Sequence, residues 1–360
     1  MSSPSRTIRP AGAALLRLLV LIFLCAVLVL EAYAIISAHS AAATPLSESF
    51  GNFDRVRARL EASGDTGEFS FAVAGDVHSS SIFEKLRRSL RTEPLSFLML
   101  LGDTVHHPTP GYRDFLRAEL VEEPPLPFPI FCVVGNHDVD PRTFPVSRFE
   151  ETFGPTNFAF EYRACLFIVL RVLPKPAPVG ESLAFLEPVL KTRPADCRRV
   201  FVFTHCPLMS FGPVVSPVAD AGKFIELFDR YKVDYVVCGH QHSFARTKVQ
   251  DTVYLVSGGA GGKLDPTGDG SFHHAVVLTV AADKVSEKVV RVPAGEELED
   301  RLERFAVTEA YPLMEEHPVL AVLGNVAVLL LLAWVVRGLA GRRRKPAQPD
   351  SDLTERGGTQ

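Results

Sequence analysis

Five short apolar stretches of this chain each end in a tight cluster of polar residues. The clusters are Gly75-Asp76-Val77-His78, Gly102-Asp103, Gly135-Asn136-His137-Asp138, Thr204-His205 and Gly239-His240-Gln241-His242. In an open α/β sheet, ligands bind outside the carboxyl ends of the strands, so strands that end in these clusters would bring them to one crevice. A glycine at such a turn lets the next side chain point back over the sheet edge, because glycine has no Cβ.

The candidate metal ligands in these clusters are carboxylates, imidazoles and one amide oxygen, with no thiolate. They are Asp76, His78, Asp103, Asn136, His205, His240 and His242. This mixture of oxygen and nitrogen suits two divalent or trivalent ions of the Mn, Fe or Zn kind better than Ca or Mg, which prefer oxygen shells. Two ions roughly 3.5 to 4 Å apart clamp the attacking and leaving oxygens of a phosphoryl transfer and lower the pKa of a shared water. The pattern therefore predicts hydrolysis of a phosphoester.

Other polar features of the sequence have weaker functional interpretations. A single Asp or His after a strand is more often an Asx turn or part of a surface loop. We keep four loop histidines as candidates for a contact with substrate or with a metal ligand: His106, His107, His273 and His274. The glycine-rich run 258–262 lacks the lysine and the helix of a phosphate-binding P-loop, so we interpret it as a close-packed turn beside the site.

The elements that would position the clusters alternate between apolar strands and amphipathic helices, which is typical of an α/β domain. Strands are predicted over 69–74, 96–101, 129–134, 165–172, 199–204 and 234–238. Helices are predicted over 81–90, 112–121, 182–190 and 223–231, where Leu, Phe and Ile recur at three and four residues. Short strands at 244–249, 252–257, 274–280 and 284–292 favour antiparallel hairpins. Two packed sheets with helices outside are expected.

Taken in this order, the five clusters resemble the calcineurin-like metallophosphoesterase superfamily, over about residues 69–292. The resemblance implies an α/β/β/α sandwich and attack on the substrate by a metal-bound hydroxide. In this chain, transmembrane helices are expected to flank the sandwich, on the separate evidence of the apolar runs described below. The resemblance also implies a division of the ligands: Asp76, His78 and His242 for one ion, Asn136, His205 and His240 for the other, and Asp103 as the bridge. In the same way, His137 would be the general acid or a contact to the substrate phosphate, oriented by Asp138.

One departure from the superfamily concerns the metal. Purple acid phosphatases carry a tyrosine ligand three residues after the bridging Asp, and His106 stands at that place here. A ferric-tyrosinate purple centre is therefore not expected. Hydrolysis of a phosphomonoester or a phosphodiester is the main hypothesis. The alternatives are a scaffold protein with a dead metal site, which would be expected to have lost ligands, and a metal-dependent hydrolase of another bond such as an amide.

Two apolar runs, 18–36 and 319–336, flank the candidate domain, and each is close to the roughly 20 residues that cross a bilayer as a helix. The basic residues that flank the two runs toward the chain termini include Arg6, Arg9, Arg17, Arg337, Arg342, Arg343, Arg344 and Lys345. Because positive flanks stay on the cytoplasmic side, both termini are expected in the cytoplasm and the segment between the runs on the far side. The first run also resembles a secretory signal peptide with a cleavage site at Ala32-Tyr33-Ala34, and either interpretation exports the domain.

The sequence of 360 residues thus divides into seven parts. They are a cytoplasmic N-terminus (1–17), a transmembrane anchor or signal sequence (18–36), a linker with a helix (37–68), the phosphoesterase domain (69–292), a helical linker (293–318), a transmembrane helix (319–336) and a basic cytoplasmic tail (337–360). The mean hydropathy of +0.14 is high for a soluble domain, and the two apolar runs account for it.

Charge and cysteine content narrow the partners and the compartment. The formal net charge is -4, and basic residues are not concentrated in the middle of the chain, so binding of nucleic acid is not expected. Anchoring near a membrane is compatible with a lipid or envelope-derived phosphoester, and equally with a soluble nucleotide. The sequence leaves undecided whether Cys165 and Cys197 form a disulfide in an oxidising compartment.

Overall fold

The protein is described by a computed structural model, which covers residues 10–46, 49–51, 53–61, 67–121, 126–211, 218–266 and 270–340. It forms two compact units: Ile36–Glu309, and a second unit made of Met1–Ile35 with Ala310–Gln360. Of the basic flanking residues, Arg6, Arg9 and the group at 342–345 lie outside the described residues.

The strands of the unit Ile36–Glu309 form two sheets. In chain order they are β1 (Phe69–Ala74), β2 (Leu95–Leu100), β3 (Ile130–Cys132), β4 (Phe158–Tyr162), β5 (Cys165–Leu170), β6 (Arg199–Thr204), β7 (Tyr235–Cys238), β8 (Phe244–Val249), β9 (Thr252–Ser257), β10 (His274–Val280) and β11 (Val285–Arg291). One sheet has the order β11-β10-β1-β2-β3 and the other β4-β5-β6-β7-β9-β8. Parallel pairing joins β1, β2 and β3 in the first sheet and β5, β6, β7 and β9 in the second.

Helices cover the outer faces of both sheets. In chain order the helices are α1 (Pro10–Ala43), α2 (Phe53–Glu61), α3 (Ile82–Leu90), α4 (Pro110–Val121), α5 (Val146–Phe153), α6 (Gly180–Lys191), α7 (Ala221–Arg230), α8 (Leu298–Phe305), a π-helical turn (Ala306–Ala310), α9 (Tyr311–Glu316) and α10 (Pro318–Ala340). Residues of α3, α4 and α5 pack on the first sheet, and residues of α6 and α7 pack on the second. The α/β/β/α sandwich is confirmed.

Aromatic side chains fill the space between the two sheets. Phe71 and Phe97 of the first sheet stack with ring centroids 4.8 Å apart, and Phe167 and Phe201 of the second stack at 5.1 Å. Phe71 meets Phe167 edge to face across the interface at 5.5 Å. The parallel strands bury one face here and the other under helices, which explains why they read as continuous apolar runs in the sequence.

The elements predicted from the sequence are present, and two others were not predicted. β4 pairs antiparallel with β5 at the edge of the second sheet, and α5 follows the third polar cluster. Helix α5 has eight residues and strand β4 has five, so each pattern covers too few residues to be distinguished from a loop. The predicted hairpins β8–β9 and β10–β11 are confirmed as antiparallel pairs.

Two helices are long and apolar enough to cross a bilayer. Their apolar segments are Leu15–Ala43 and Pro318–Leu339, and they contain the runs identified in the sequence. Within the unit made of Met1–Ile35 and Ala310–Gln360, Arg17 donates a hydrogen bond to the main-chain oxygen of Gly338 at 2.8 Å and lies over the ring of Trp334. The described cysteines, including Cys165 and Cys197, are free thiols in the structure.

Candidate metal centre

The polar clusters meet at the carboxyl ends of β1, β2, β3, β6 and β7, as the sequence predicted. Four of the predicted ligands have positive φ angles without being glycine: Asp76 at 63°, His78 at 55°, Asp103 at 50° and His240 at 65°. This left-handed backbone is unfavourable for L-residues and tends to occur at functional sites, where the surrounding structure enforces it. The chain therefore holds these side chains in place at a cost in backbone conformation.

The first group of ligand atoms belongs to Asp76, His78 and His242. The Nε2 atom of His242 lies 3.4 Å from Oδ1 of the fully buried Asp76. The rings of His78 and His242 meet edge to face with centroids 4.8 Å apart. One donor atom from each residue lies within 4.8 Å of the other two. These three residues could hold one ion, as the resemblance implied.

The second group belongs to Asn136, His205 and His240. Nε2 of His205 lies 3.0 Å from Oδ1 of Asn136 and 3.1 Å from Nδ1 of His240. Metal bonds of about 2.1 Å at tetrahedral or octahedral angles place neighbouring ligand atoms roughly 3.0 to 3.4 Å apart. The spacing of these donor atoms therefore matches one coordination shell.

Asp103 lies between the two groups. Its Oδ2 atom is 3.4 Å from Nε2 of His205 in one group and 3.7 Å from Nε2 of His78 in the other. Its Oδ1 atom accepts a hydrogen bond of 2.7 Å from the main-chain N–H of His137. A carboxylate that reaches both groups has the position required of a bridging ligand.

Main-chain oxygens orient two of the histidine ligands. Nδ1 of His205 donates to the oxygen of Leu101 at 2.9 Å, and Nδ1 of His242 donates to that of Lys263 at 2.6 Å. This arrangement fixes the tautomer and leaves Nε2 of each ring free to bind a metal. Such oxygens leave no signal in the sequence, because any residue can supply them.

Two buried polar atoms of the site make no hydrogen bond, namely Oδ1 of Asp76 and Nε2 of His78. Buried polar atoms are nearly always paired, so an unpaired acceptor and an unpaired imidazole nitrogen beside other donor atoms call for an additional partner. A cation satisfies both atoms. The residues present therefore fit a metal centre built from oxygen and nitrogen donors.

The electrostatics of the site also favour bound cations. Burial opposes the ionised form of Asp103, but His205 and His78 hold the pKa of that carboxyl well below its ordinary value. Burial likewise opposes the charged form of His205, but Asp103 raises the pKa of His205 to about 9. Burial and, to a smaller extent, the charge of His205 lower the pKa of His240 to about 4. The carboxylates thus draw positive charge into the site, which metal ions would supply.

The role expected for Asp138 needs a correction. Its buried carboxylate accepts hydrogen bonds of 2.8 Å from the main-chain N–H groups of Asp103, Thr104 and Gly135, and one of 2.6 Å from the Thr104 hydroxyl. It thereby ties the second polar cluster to the third. The His137 ring is oriented instead by the main-chain oxygen of His106, 2.7 Å from its Nδ1 atom. Asp138 is a positioning residue for the loops rather than for the His137 ring.

His137 and His106 lie side by side at the open edge of the site. The Nε2 atom of His137 is 4.0 Å from Oδ2 of Asp103, and its side chain is 37% exposed. The ring of His106 stacks on that of His137 with centroids 5.7 Å apart, and its Nδ1 atom lies 3.0 Å from Nδ1 of His78. His137 therefore faces both the ligands and the solvent, as a proton donor to substrate must.

The remaining sequence candidates lie at different distances from the ligands. His107 contacts the ring of His106, with centroids 4.4 Å apart. His273 and His274 bond the main-chain oxygens of Gly259 and Phe272 instead, and neither belongs to a group of potential ligand atoms among the described residues. The run 258–262 is a close-packed turn: a Cβ on Gly258 would meet Asp76, and one on Gly262 would meet His242.

A further glycine shows how little space the site allows. A Cβ at Gly135 would collide with the main-chain nitrogen and Oδ1 of Asp103, whereas a Cβ at Gly180, at the start of α6, meets no atom within 4 Å. We expect Gly135→Ala to displace Asp103, reduce bound metal and lower turnover by about 10²-fold, the size of effect seen when a reacting group is misplaced by about 1 Å. Gly180→Ala should leave both unchanged. Equal metal content and turnover in the two variants would contradict this packing.

Comparisons with known proteins identify the domain that carries this site. The model of the calcineurin-like phosphoesterase family matches residues 69–244. No curated protein matches the chain.

Three solved structures share the fold. GAP50 of Plasmodium, the anchor in the inner membrane complex, is 14% identical with a TM-score of 0.50, and the match covers 68% of this chain and 96% of that one. A purple acid phosphatase from yellow lupin is 16% identical with a TM-score of 0.52, covering 63% and 52%. A dimetal phosphatase from Danio rerio is 14% identical with a TM-score of 0.51, covering 62% and 96%. Residues 69–244 form a calcineurin-like phosphoesterase domain, the domain of a metal-dependent phosphoester hydrolase.

Proposed function

We propose that the protein is a membrane-anchored phosphoesterase that hydrolyses a phosphomonoester or phosphodiester at a centre of two metal ions, of the Mn, Fe or Zn kind. The observation that carries the proposal is the position of Asp103, whose Oδ2 atom lies 3.4 Å from His205 and 3.7 Å from His78. A single ion would need only one of the two groups. Two groups joined by one carboxylate support a dinuclear centre.

The residues of the site have separate tasks in this reaction. Asp76, His78 and His242 would hold one ion, Asn136, His205 and His240 the other, and Asp103 both. Bound ions would lower the pKa of the attacking water and stabilise the charge that develops on the phosphoryl oxygens. His137, at the open edge, would give a proton to the leaving oxygen through Nε2, while the His106 oxygen holds its Nδ1 proton. The complete ligand set favours an enzyme over a scaffold.

The activity can be tested with the purified full chain in detergent or nanodiscs. After loading with Mn, Fe or Zn, it would be assayed against phosphomonoesters, phosphodiesters, nucleotides and phospholipids. We expect metal-dependent hydrolysis in at least one of these classes. Hydrolysis of amides but of no phosphoester would replace this proposal with the other two-metal reaction.

The proposed topology places the phosphoesterase domain outside the cytoplasm. Support comes from two apolar helices with Arg17 in the N-terminal part of the first and Arg337 in the last turn of the second. A reporter that works only outside the cytoplasm should be active when fused after Ala294 and inactive when fused after Gln360. A reporter that works only in the cytoplasm should give the reverse pattern. If the reporters gave the opposite pattern at Ala294 and Gln360, the proposed localisation would be wrong, while the proposed hydrolysis would be unaffected.

A further inference from the structure

Helix α8 carries an apolar stripe that the described part of the chain leaves uncovered. Leu298 is 71% exposed, Leu302 is 40% exposed and Phe305 is 59% exposed. Positions separated by four and then three residues lie on one face of a helix. Three large apolar side chains on one exposed face are costly in water, and such patches usually mark a contact with another surface.

The same segment is joined to the rim of the metal centre. Arg304 donates a hydrogen bond of 2.6 Å to Glu296, which also accepts one of 2.9 Å from Ser80, two residues after the ligand His78. In the π-helical turn that follows α8, Glu309 accepts a hydrogen bond of 2.6 Å from the Tyr112 hydroxyl. The ring of Tyr112 lies 5.4 Å from that of His107 and 5.9 Å from that of His106. Hydrogen bonds therefore connect α8 and the turn after it to this rim.

The end of the first apolar helix contacts this segment too. Ala41, in the apolar segment Leu15–Ala43, packs in one small cluster with Phe115 of α4 and with Val307, two residues after Phe305. On the other side, Phe305 is 13 residues before Pro318, where the second apolar helix begins. A chain of that length spans at most about 45 Å, and much less where it is helical. The turn after α8 thus packs on the end of the first apolar helix, and α8 ends 13 residues before the second apolar helix begins.

We propose that α8 lies in the membrane interface, with Leu298, Leu302 and Phe305 at the boundary between headgroups and acyl chains. In this position α8 holds the metal centre against the bilayer, where the centre acts on the phosphoester of a membrane lipid headgroup. This substrate class rests on the proposed phosphoesterase function. Within α8, three acidic and two basic residues leave one net negative charge. The contact is therefore made by the apolar face, and anionic lipid is not needed for it.

The position of α8 can be measured without any assay of activity. Trp334 is the only tryptophan of the chain, so Trp334→Phe gives a background in which Phe305→Trp reports on one site. The full chain would be placed in nanodiscs of phosphatidylcholine brominated on the acyl chains near the headgroup. We expect the fluorescence of Phe305→Trp to be quenched relative to unbrominated nanodiscs. Glu299→Trp, about 120° around the same helix, should be quenched much less. An equal response at the two positions would overturn the interfacial placement.

The substrate class is tested with matched pairs that share their phosphoester chemistry. Phosphatidic acid in the nanodisc is compared with soluble glycerol 3-phosphate, and phosphatidylglycerol with soluble glycerophosphoglycerol. We expect the lipid member of one pair to be hydrolysed with a kcat/KM about tenfold or more above its soluble partner, because the bilayer concentrates it at the site. Equal rates, or a preference for the soluble partner, would overturn the substrate class.

A variant links this preference to α8. Replacing Leu298, Leu302 and Phe305 together by Ser should abolish the preference for lipid and leave hydrolysis of soluble p-nitrophenyl phosphate unchanged, which also shows that the variant is folded. If the preference survives the triple substitution, α8 does not confer it. If the wild-type chain hydrolyses no phosphoester at all, the proposed function and this substrate class both fail, while the quenching result still decides where α8 lies.

Discussion

Asp103→Asn is expected to remove bound metal and activity together. The Asp103 carboxylate reaches ligand atoms of both groups, and its pKa is held well below the ordinary value, so it supplies a full negative charge to the centre. An amide of the same size keeps one oxygen but loses that charge, and an amide does not bridge two cations well. We expect the metal content to fall from about two ions per chain to one or none, and hydrolysis to fall to the background.

A matched control shows whether the effect is specific to Asp103 or follows from replacing any Asp by Asn. Asp251 has a 76% exposed side chain in the turn between β8 and β9, and its one ion pair among the described residues is with Lys232 at 3.8 Å, so Asp251→Asn should change stability by less than about 1 kcal/mol. Metal content, measured by elemental analysis, and activity should match the wild type in that variant. Full metal occupancy with full activity in Asp103→Asn would refute the bridging role.

His137→Ala is expected to leave metal content intact and to lower the turnover rate by roughly 10²- to 10⁴-fold, the usual range for a positioned proton donor. The Nε2 atom of His137 lies 4.0 Å from Asp103 and faces the open edge of the site, while its Nδ1 atom is held by a main-chain oxygen. The deficit should shrink for substrates with good leaving groups such as nitrophenolate, because these need little protonation on departure. The measurement is turnover across a series of phenyl phosphates of increasing leaving-group acidity.

The neighbouring residue provides the contrast. Asn136 offers its amide oxygen 3.0 Å from Nε2 of His205, so Asn136→Ala should weaken one ion and be partly rescued by excess metal. Excess metal should not rescue His137→Ala. If His137→Ala loses metal, or is equally impaired for every leaving group, the proton comes from elsewhere, and His106 and His107 are the next residues to replace.

The positions of the ligands could be read from the sequence because the polar clusters end buried parallel strands. Each such strand is a continuous apolar run, and a glycine marks the turn after four of the five, namely Gly75, Gly102, Gly135 and Gly239. The carboxyl ends of these strands share one edge, so the order of the motifs already determined that the ligands meet.

The features that the sequence did not show depend on the main chain or on weak patterns. The main-chain oxygen of His106 orients the His137 ring, whereas the carboxylate of Asp138, which the resemblance implied for that role, accepts hydrogen bonds from main-chain N–H groups. Strand β4 lies at a sheet edge with alternating burial over five residues, a pattern too short to separate from a loop. The sequence predicted only a helical linker over 293–318, and the exposed stripe of α8 was missed because its exposure depends on tertiary packing.

The proposed dinuclear phosphoesterase can be tested by elemental analysis of the purified full chain, combined with hydrolysis of p-nitrophenyl phosphate before and after chelation. We expect about two ions of Mn, Fe or Zn per chain, loss of hydrolysis when a chelator removes them, and recovery when the metal is restored. Hydrolysis that persists at full rate in the metal-free chain, or a fully metal-loaded chain that hydrolyses no phosphoester, would contradict it.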